Sequence, residues 1–204
     1  MMNFCKSAGI AALTILLITG TAETAEFKLP QVGESSTYKC TGPWGMNASY
    51  TITEMKGDVA HIEIDRDGKV EWIEKPYTAL GLTLFSERQR NDGKGVRKQK
   101  LDGDVLAEYA QLVPGTKLKF NVREKHNEAQ WEWGYEIEVG SPQTISHPIL
   151  GEVEVVPVTE KRKVWKGSYS SEMETLVAAK EGHSVSWTYR DREGVQTCEL
   201  VGVK

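Results

Sequence analysis

Four histidines, His61, His126, His147 and His183, are the side chains best suited to proton transfer or metal ligation near neutral pH. Their spacing favours neither. No two stand as His-x-His or His-Glu-x-x-His, so no metal site is expected, and the two cysteines left after export are too few for structural zinc without neighbouring histidines. His61 falls on the polar side of an alternating stretch and His126 in a turn, which predicts solvated rings for both. No Gly-x-Ser-x-Gly elbow is present, and no catalytic residue is assigned. Glu132, Glu136 and Glu138 share one face of a strand, where mutual repulsion would raise their pKa values, but a solvated face is the expectation. The side chains that remain distinctive bind better than they catalyse. Six tryptophans (Trp44, Trp72, Trp131, Trp133, Trp165 and Trp187) suit a packed core first and a stacking platform or apolar cradle second. Between Glu87 and Lys100, six basic residues, Arg88, Arg90, Lys94, Arg97, Lys98 and Lys100, face two acids, Glu87 and Asp92, a local charge of +4. A solvated hairpin tip or a contact for an anionic surface would both read this way.

The chain opens with Lys6 before an apolar run from Ala8 to about Ile18, then small residues, the layout of a secretory signal peptide. Cleavage after Ala22 or Ala25 fits equally well. The expected organisation is a leader over 1–25 and one secreted domain over 26–204, periplasmic or released. The run falls short of the roughly 20 residues of a membrane span, and no later segment approaches that length, so the processed chain is not expected to cross a membrane. Loss of Lys6 and Glu23 leaves the formal net charge at −4, which disfavours nucleic acid as a partner. Export makes pairing of Cys40 with Cys198 the default, and that bridge would join the first and last mature strands.

The elements that must position these groups are read most firmly at Gln130–Ser141. Trp131, Trp133, Tyr135, Ile137 and Val139 alternate with Glu132, Gly134, Glu136 and Glu138, the pattern of an antiparallel strand with one wet face. Leu118, Phe120 and Val122 precede it as the expected hairpin partners of Trp131, Trp133 and Tyr135. Glu34 to Lys75 reads as a meander turning at Lys56-Gly57-Asp58 and Asp67-Gly68. Residues 82–89 and 96–101 read as two strands of a long hairpin. Asp104 to Leu112 is the single short helix, capped by Asp104, with Val105, Leu106, Tyr109 and Leu112 near one side. Pro157 inside an apolar run predicts an edge or a bulge, because proline cannot donate to a ladder. Together these give a mainly β domain, a curved and mostly antiparallel sheet shaped as a half-barrel or sandwich, with one short helix.

From Leu112 to Val203 the chain resembles an uncharacterised group of secreted bacterial β-domain proteins. The resemblance lies in LVPGTKLKF, a W-x-W strand ending in EVG, a proline-containing link, a Val-rich strand and the closing SYSSEM, EGHSVSWTYRD and CELVGV segments. Such domains are similar to periplasmic lipoprotein-carrier folds, whose concave face can shelter an apolar group. The link departs from the commoner pattern, with Ser146-His147-Pro148-Ile149 in place of a Pro-Ala-Gly turn. The expected function is non-enzymatic: a binding or assembly factor sheltering an apolar or lipid-like group, without cofactor. The candidate ligand residues are Trp131, Trp133, Tyr135, Arg88, Arg97 and Lys98. A carbohydrate-binding module using exposed tryptophans is the alternative.

Overall fold

A computed structural model describes residues 25–43, 45, 47–77, 82–90, 94–100 and 111–204. Residues 1–24 of the expected leader over 1–25, Trp44 and most of the expected helix lie outside the described residues. In chain order the strands are β1 (Ala25–Glu26), β2 (Ser35–Thr41), β3 (Ala48–Lys56), β4 (Val59–Arg66), β5 (Lys69–Pro76), β6 (Glu87–Gln89), β7 (Val96–Lys100) and β8 (Gln111–Leu112). They continue as β9 (Lys117–His126), β10 (Ala129–Val139), β11 (Gln143–His147), β12 (Gly151–Val164), β13 (Ser170–Ala178), β14 (His183–Asp191) and β15 (Gly194–Val203).

Local sequence explains most of them. In β4, Ala60, Ile62 and Ile64 are buried while His61, Glu63 and Asp65 turn the other way, the period of two that a sheet with one packed face requires. The following turn has positive φ at both Asp67 (50°) and Gly68 (83°), as a tight hairpin of the twist-matching kind demands, and Asp65 accepts a hydrogen bond from the Gly68 N–H at 2.8 Å.

The sheet closes on itself. Its order runs β2, β3, β4, β5, β6, β7, β9, β10, β12, β13, β14, β15, and β15 returns to pair with β2, giving a twelve-stranded antiparallel barrel. This corrects the expected half-barrel or sandwich. Alternation shows that β10 is a strand but not that both its edges are used, by β9 on one side and β12 on the other. Cys40 and Cys198 stand directly opposite one another across the β2–β15 seam and form the expected disulfide. β11 lies outside the ring on the same edge of β12 that β10 occupies. The two ladders meet at a break where Val139 faces Val158 and Gln143 faces Val155. Pro157 sits in that break and accepts the Gly140 N–H at 2.8 Å, so its missing donor disturbs no ladder bond.

Three further expectations change. Gln111 and Leu112, the end of the predicted helix, pair as strand β8 with β1, and Leu112 is buried in the core; the preceding residues of that segment fall outside the described ones. A ladder supplied by a remote N-terminal arm leaves no trace in the local spacing. No α-helix occurs among the described residues. In the β9–β10 hairpin the register places Val122 opposite Trp133 and Phe120 opposite Tyr135, as expected in kind, but Trp131 faces Glu124. Residues 82–86 are not strand; β6 begins only at Glu87.

Because neighbouring strands alternate in direction, the β2–β3, β4–β5, β9–β10, β12–β13 and β14–β15 turns gather at one rim, the mouth. The other rim, the base, is crossed by chain. Tyr77 at the end of β5 donates a hydrogen bond to the Gly182 carbonyl at 3.0 Å, Phe27 packs edge-on against its ring at 5.3 Å, and the Lys28 N–H bonds to the Ala179 carbonyl at 2.9 Å.

Candidate functional site

The barrel encloses a cavity of about 770 Å³, within the roughly 300–1,000 Å³ typical of small-molecule sites. One wall is apolar. Ile52, Ile62, Ile64 and Ile73 project into it from β3, β4 and β5, where inward parity selects β-branched residues.

Below this wall the segment 82–85 runs inside the barrel, and its backbone polar groups need partners away from water. Inward charged and amide side chains provide them. Lys75 Nζ donates to the Leu82 carbonyl at 2.6 Å, and Glu160 accepts both the Thr83 N–H, at 3.0 Å, and the Thr83 hydroxyl. Gln99 Oε1 accepts the Phe85 N–H at 3.0 Å, while its amide nitrogen donates to Glu124 at 3.1 Å. Burial pushes the Lys75 ammonium down to about 8, against the pull of Glu160, and burial raises the Glu160 carboxyl despite its bonds from Thr83.

Toward the mouth, charge and aromatic rings form an arc across adjacent strands. Glu71 of β5 is shared by Arg66 of β4 and Arg88 of β6, the latter at 3.5 Å, and Arg97 of β7 meets Glu124 of β9 at 3.5 Å. Next come Trp131 and Trp133 of β10. Arg162 of β12 lies 4.9 Å from the centroid of the Trp133 ring, within cation–π reach, and donates to Ser171 Oγ at 2.8 Å and to the Tyr189 hydroxyl at 3.0 Å. Tyr169 shares a 2.6 Å bond with Tyr189 and donates to Asp191 at 2.9 Å.

Of the six candidate ligand residues named from sequence, Trp131, Trp133, Arg88 and Arg97 line this cavity. Trp131 is 37% exposed at the mouth, and Trp133 is half-buried against the core. Tyr135 lies deeper, packed in the core and stacked on Phe120 at 5.3 Å. Lys98 points outward and pairs with Glu87 at 2.5 Å, so the basic hairpin is divided between lumen and solvent. His126 is buried, with Nδ1 3.3 Å from Arg90, which corrects the expectation of a solvated ring. His61 stacks on Trp72 at 5.3 Å, His147 caps its own turn, and His183, whose pKa is lowered by burial, sits near the base beside Ser36. No cluster of metal-ligating side chains occurs among the described residues. Instead of being raised by its neighbours, the Glu136 carboxyl is lowered, because Lys119 on the adjacent strand bonds it at 2.8 Å.

Arg66, Lys75, Glu160 and Arg162 were not singled out. For three of them the signal is present: Arg66, Glu160 and Arg162 are charges on the apolar parity of their strands, as Arg162 is with Val156, Val158 and Glu160, whereas Lys75 shares its parity with Lys69 and Glu71 and the apolar Val70 and Trp72 stand on the other.

The barrel has solved counterparts. The "hypothetical lipoprotein YmcC" from Escherichia coli is similar with TM-score 0.51 and 8% identity, over 85% of this chain and 90% of that one. A "putative lipoprotein" from Parabacteroides distasonis is similar with TM-score 0.51 and 13% identity, over 89% of this chain and all of that one. At such identities the likeness is one of fold. No family model matches the sequence, nor does any curated protein.

Proposed function

We propose that this chain is a non-enzymatic binding protein of the bacterial cell envelope that shelters an apolar or lipid-like group in its barrel. The observation that carries the reading is the lumen of about 770 Å³ with an isoleucine wall, floored in part by residues 82–85 and leading to tryptophans at the mouth. Burial of a flexible chain there removes apolar surface from water at roughly 25 cal/mol per Å², without rebuilding the protein. The envelope location is supported by the leader-like N-terminus and by the lipoprotein descriptions of the two structural counterparts. The disulfide across the seam fits an oxidising compartment.

Nile red, a neutral apolar fluorophore, provides the test. Uptake at one dye per protein, with a blue shift of its emission, is the expected result. Absence of uptake, together with stoichiometric binding of an oligosaccharide read by tryptophan fluorescence, would replace this reading with the carbohydrate-binding alternative.

A further inference from the structure

The lumen is asymmetric in charge. Among the described residues that line it, five are cationic, Arg66, Lys75, Arg88, Arg97 and Arg162, against two carboxylates, Glu34 and Glu124. Glu34 lies at the base, 3.8 Å from Lys28. Deeper in, the one carboxylate of Glu160 is shared by the fields of Arg162 and Lys75, so the cations still outnumber the acids that face them. At the mouth Glu71 is shared between two guanidinium groups, while Arg162 makes its hydrogen bonds to neutral hydroxyls, Ser171 and Tyr189. Beside it the Trp133 indole N–H is enclosed and has no acceptor. A half-enclosed guanidinium whose bonds go to hydroxyls, next to an orphaned donor, is an arrangement completed by an incoming anion. The planar fork of arginine matches carboxylate and phosphate oxygens, and partial exclusion of water strengthens the contact.

We infer that the sheltered molecule is an anionic amphiphile, its carboxylate or phosphate group held by the mouth arc at Arg66, Arg97 and Arg162 and its tail lying along the isoleucine wall. This rests on the sheltering reading and adds the head group to it. Cavity polarity sets the orientation. The cationic residues of the arc lie on β4 to β12, whereas β2, β3 and β15 present Cys40, Ala48, Tyr50 and Gln196 to the same space. A molecule charged at one end and apolar along its length meets both requirements at once.

The experiment is displacement of Nile red from the delipidated, disulfide-intact protein by four probes: hexadecanoate, hexadecyl phosphate, hexadecanol and inorganic phosphate. At least one anionic amphiphile is expected to displace the dye at about tenfold lower concentration than hexadecanol, a difference of about 1.4 kcal/mol. The stronger of the two identifies carboxylate or phosphate as the preferred head. Arg162→Met should reduce that preference to within about threefold while leaving hexadecanol unchanged. If Arg162→Met does not fold, Arg97→Gln carries the test, since that side chain is 45% exposed and its partner Glu124 keeps the Gln99 amide donor at 3.1 Å. Equal displacement by hexadecanol overturns the anionic head group and leaves the sheltering reading standing. Displacement by inorganic phosphate as effective as by hexadecyl phosphate overturns the amphiphile in favour of a free-anion site. Failure of Nile red to bind at all removes the sheltering reading itself.

Discussion

Reduction of the Cys40–Cys198 bridge tests how the barrel is closed. The two half-cystines are separated by 158 residues, and they tie the first ring strand to the last. In the chain-entropy treatment, a loop of that length restricts the unfolded ensemble by about 5 kcal/mol, which is the ceiling; native strain and residual unfolded structure bring typical values to about 2–5 kcal/mol. The β2–β15 ladder is the longest-range pairing in the ring, so without the bridge its closure entropy falls wholly on folding. Urea melts followed by tryptophan fluorescence, with and without reductant, give the difference directly. The double substitution Cys40→Ala and Cys198→Ala provides a version that cannot re-oxidise. The expected result is a loss of about 2–5 kcal/mol, a larger m-value because the unfolded chain expands, and slower refolding. A loss below about 1 kcal/mol with an unchanged m-value in both versions would refute the reasoning, since the seam would then close on hydrogen bonds and packing alone.

The two tryptophans of β10 should separate in energy. Trp133→Ala removes a ring packed on the core and on Arg162, at about 3–5 kcal/mol, whereas Trp131→Ala, at the exposed mouth, should cost under about 1 kcal/mol. Urea melts of both variants, with acrylamide quenching to confirm which ring is accessible, check this. Lys75 should give stability an alkaline dependence. Below about pH 8 its ammonium is charged in both states and its burial is opposed in full. As pH rises from about 8 towards 10.5 the native state loses its proton first, the unfolded chain holds more protons, and stability increases relative to Lys75→Met by up to about 3 kcal/mol. Thermal melts of the pair across that window should diverge, and parallel curves would reject the burial argument.

Much of the barrel was legible because half-buried strands declare themselves. The alternation of β10, the inward residues of β4 and the Asp67-Gly68 turn each follow from a period of two and a twist-matched hairpin. The disulfide was legible from position and compartment. Closure was not, because it depends on which strand fills the second edge of β10, and β12 is no nearer to announcing this than any other strand. Residues 82–85 misled for a different reason. Leu82, Leu84 and Phe85 are buried on successive sides because the segment runs inside the barrel, so the pattern loses the parity that would separate a strand from a floor. The site was half legible. Aromatic residues on β10 and two arginines of the hairpin were visible as candidates, but their convergence with Arg66 and Arg162 joins residues almost a hundred positions apart, which only the ring order brings together.

The ring has a consequence for how copies of this chain behave at high concentration. Every strand in it has a neighbour on both sides, so its backbone donors and acceptors offer no continuous template for a second molecule. Within this sheet the unpaired edge belongs to β11, five residues long, where Gln143, Thr144 and Ser146 are exposed and only Ile145 is apolar. A short polar edge recruits other strands poorly. The protein can therefore keep a large apolar interior and still resist edge-to-edge aggregation.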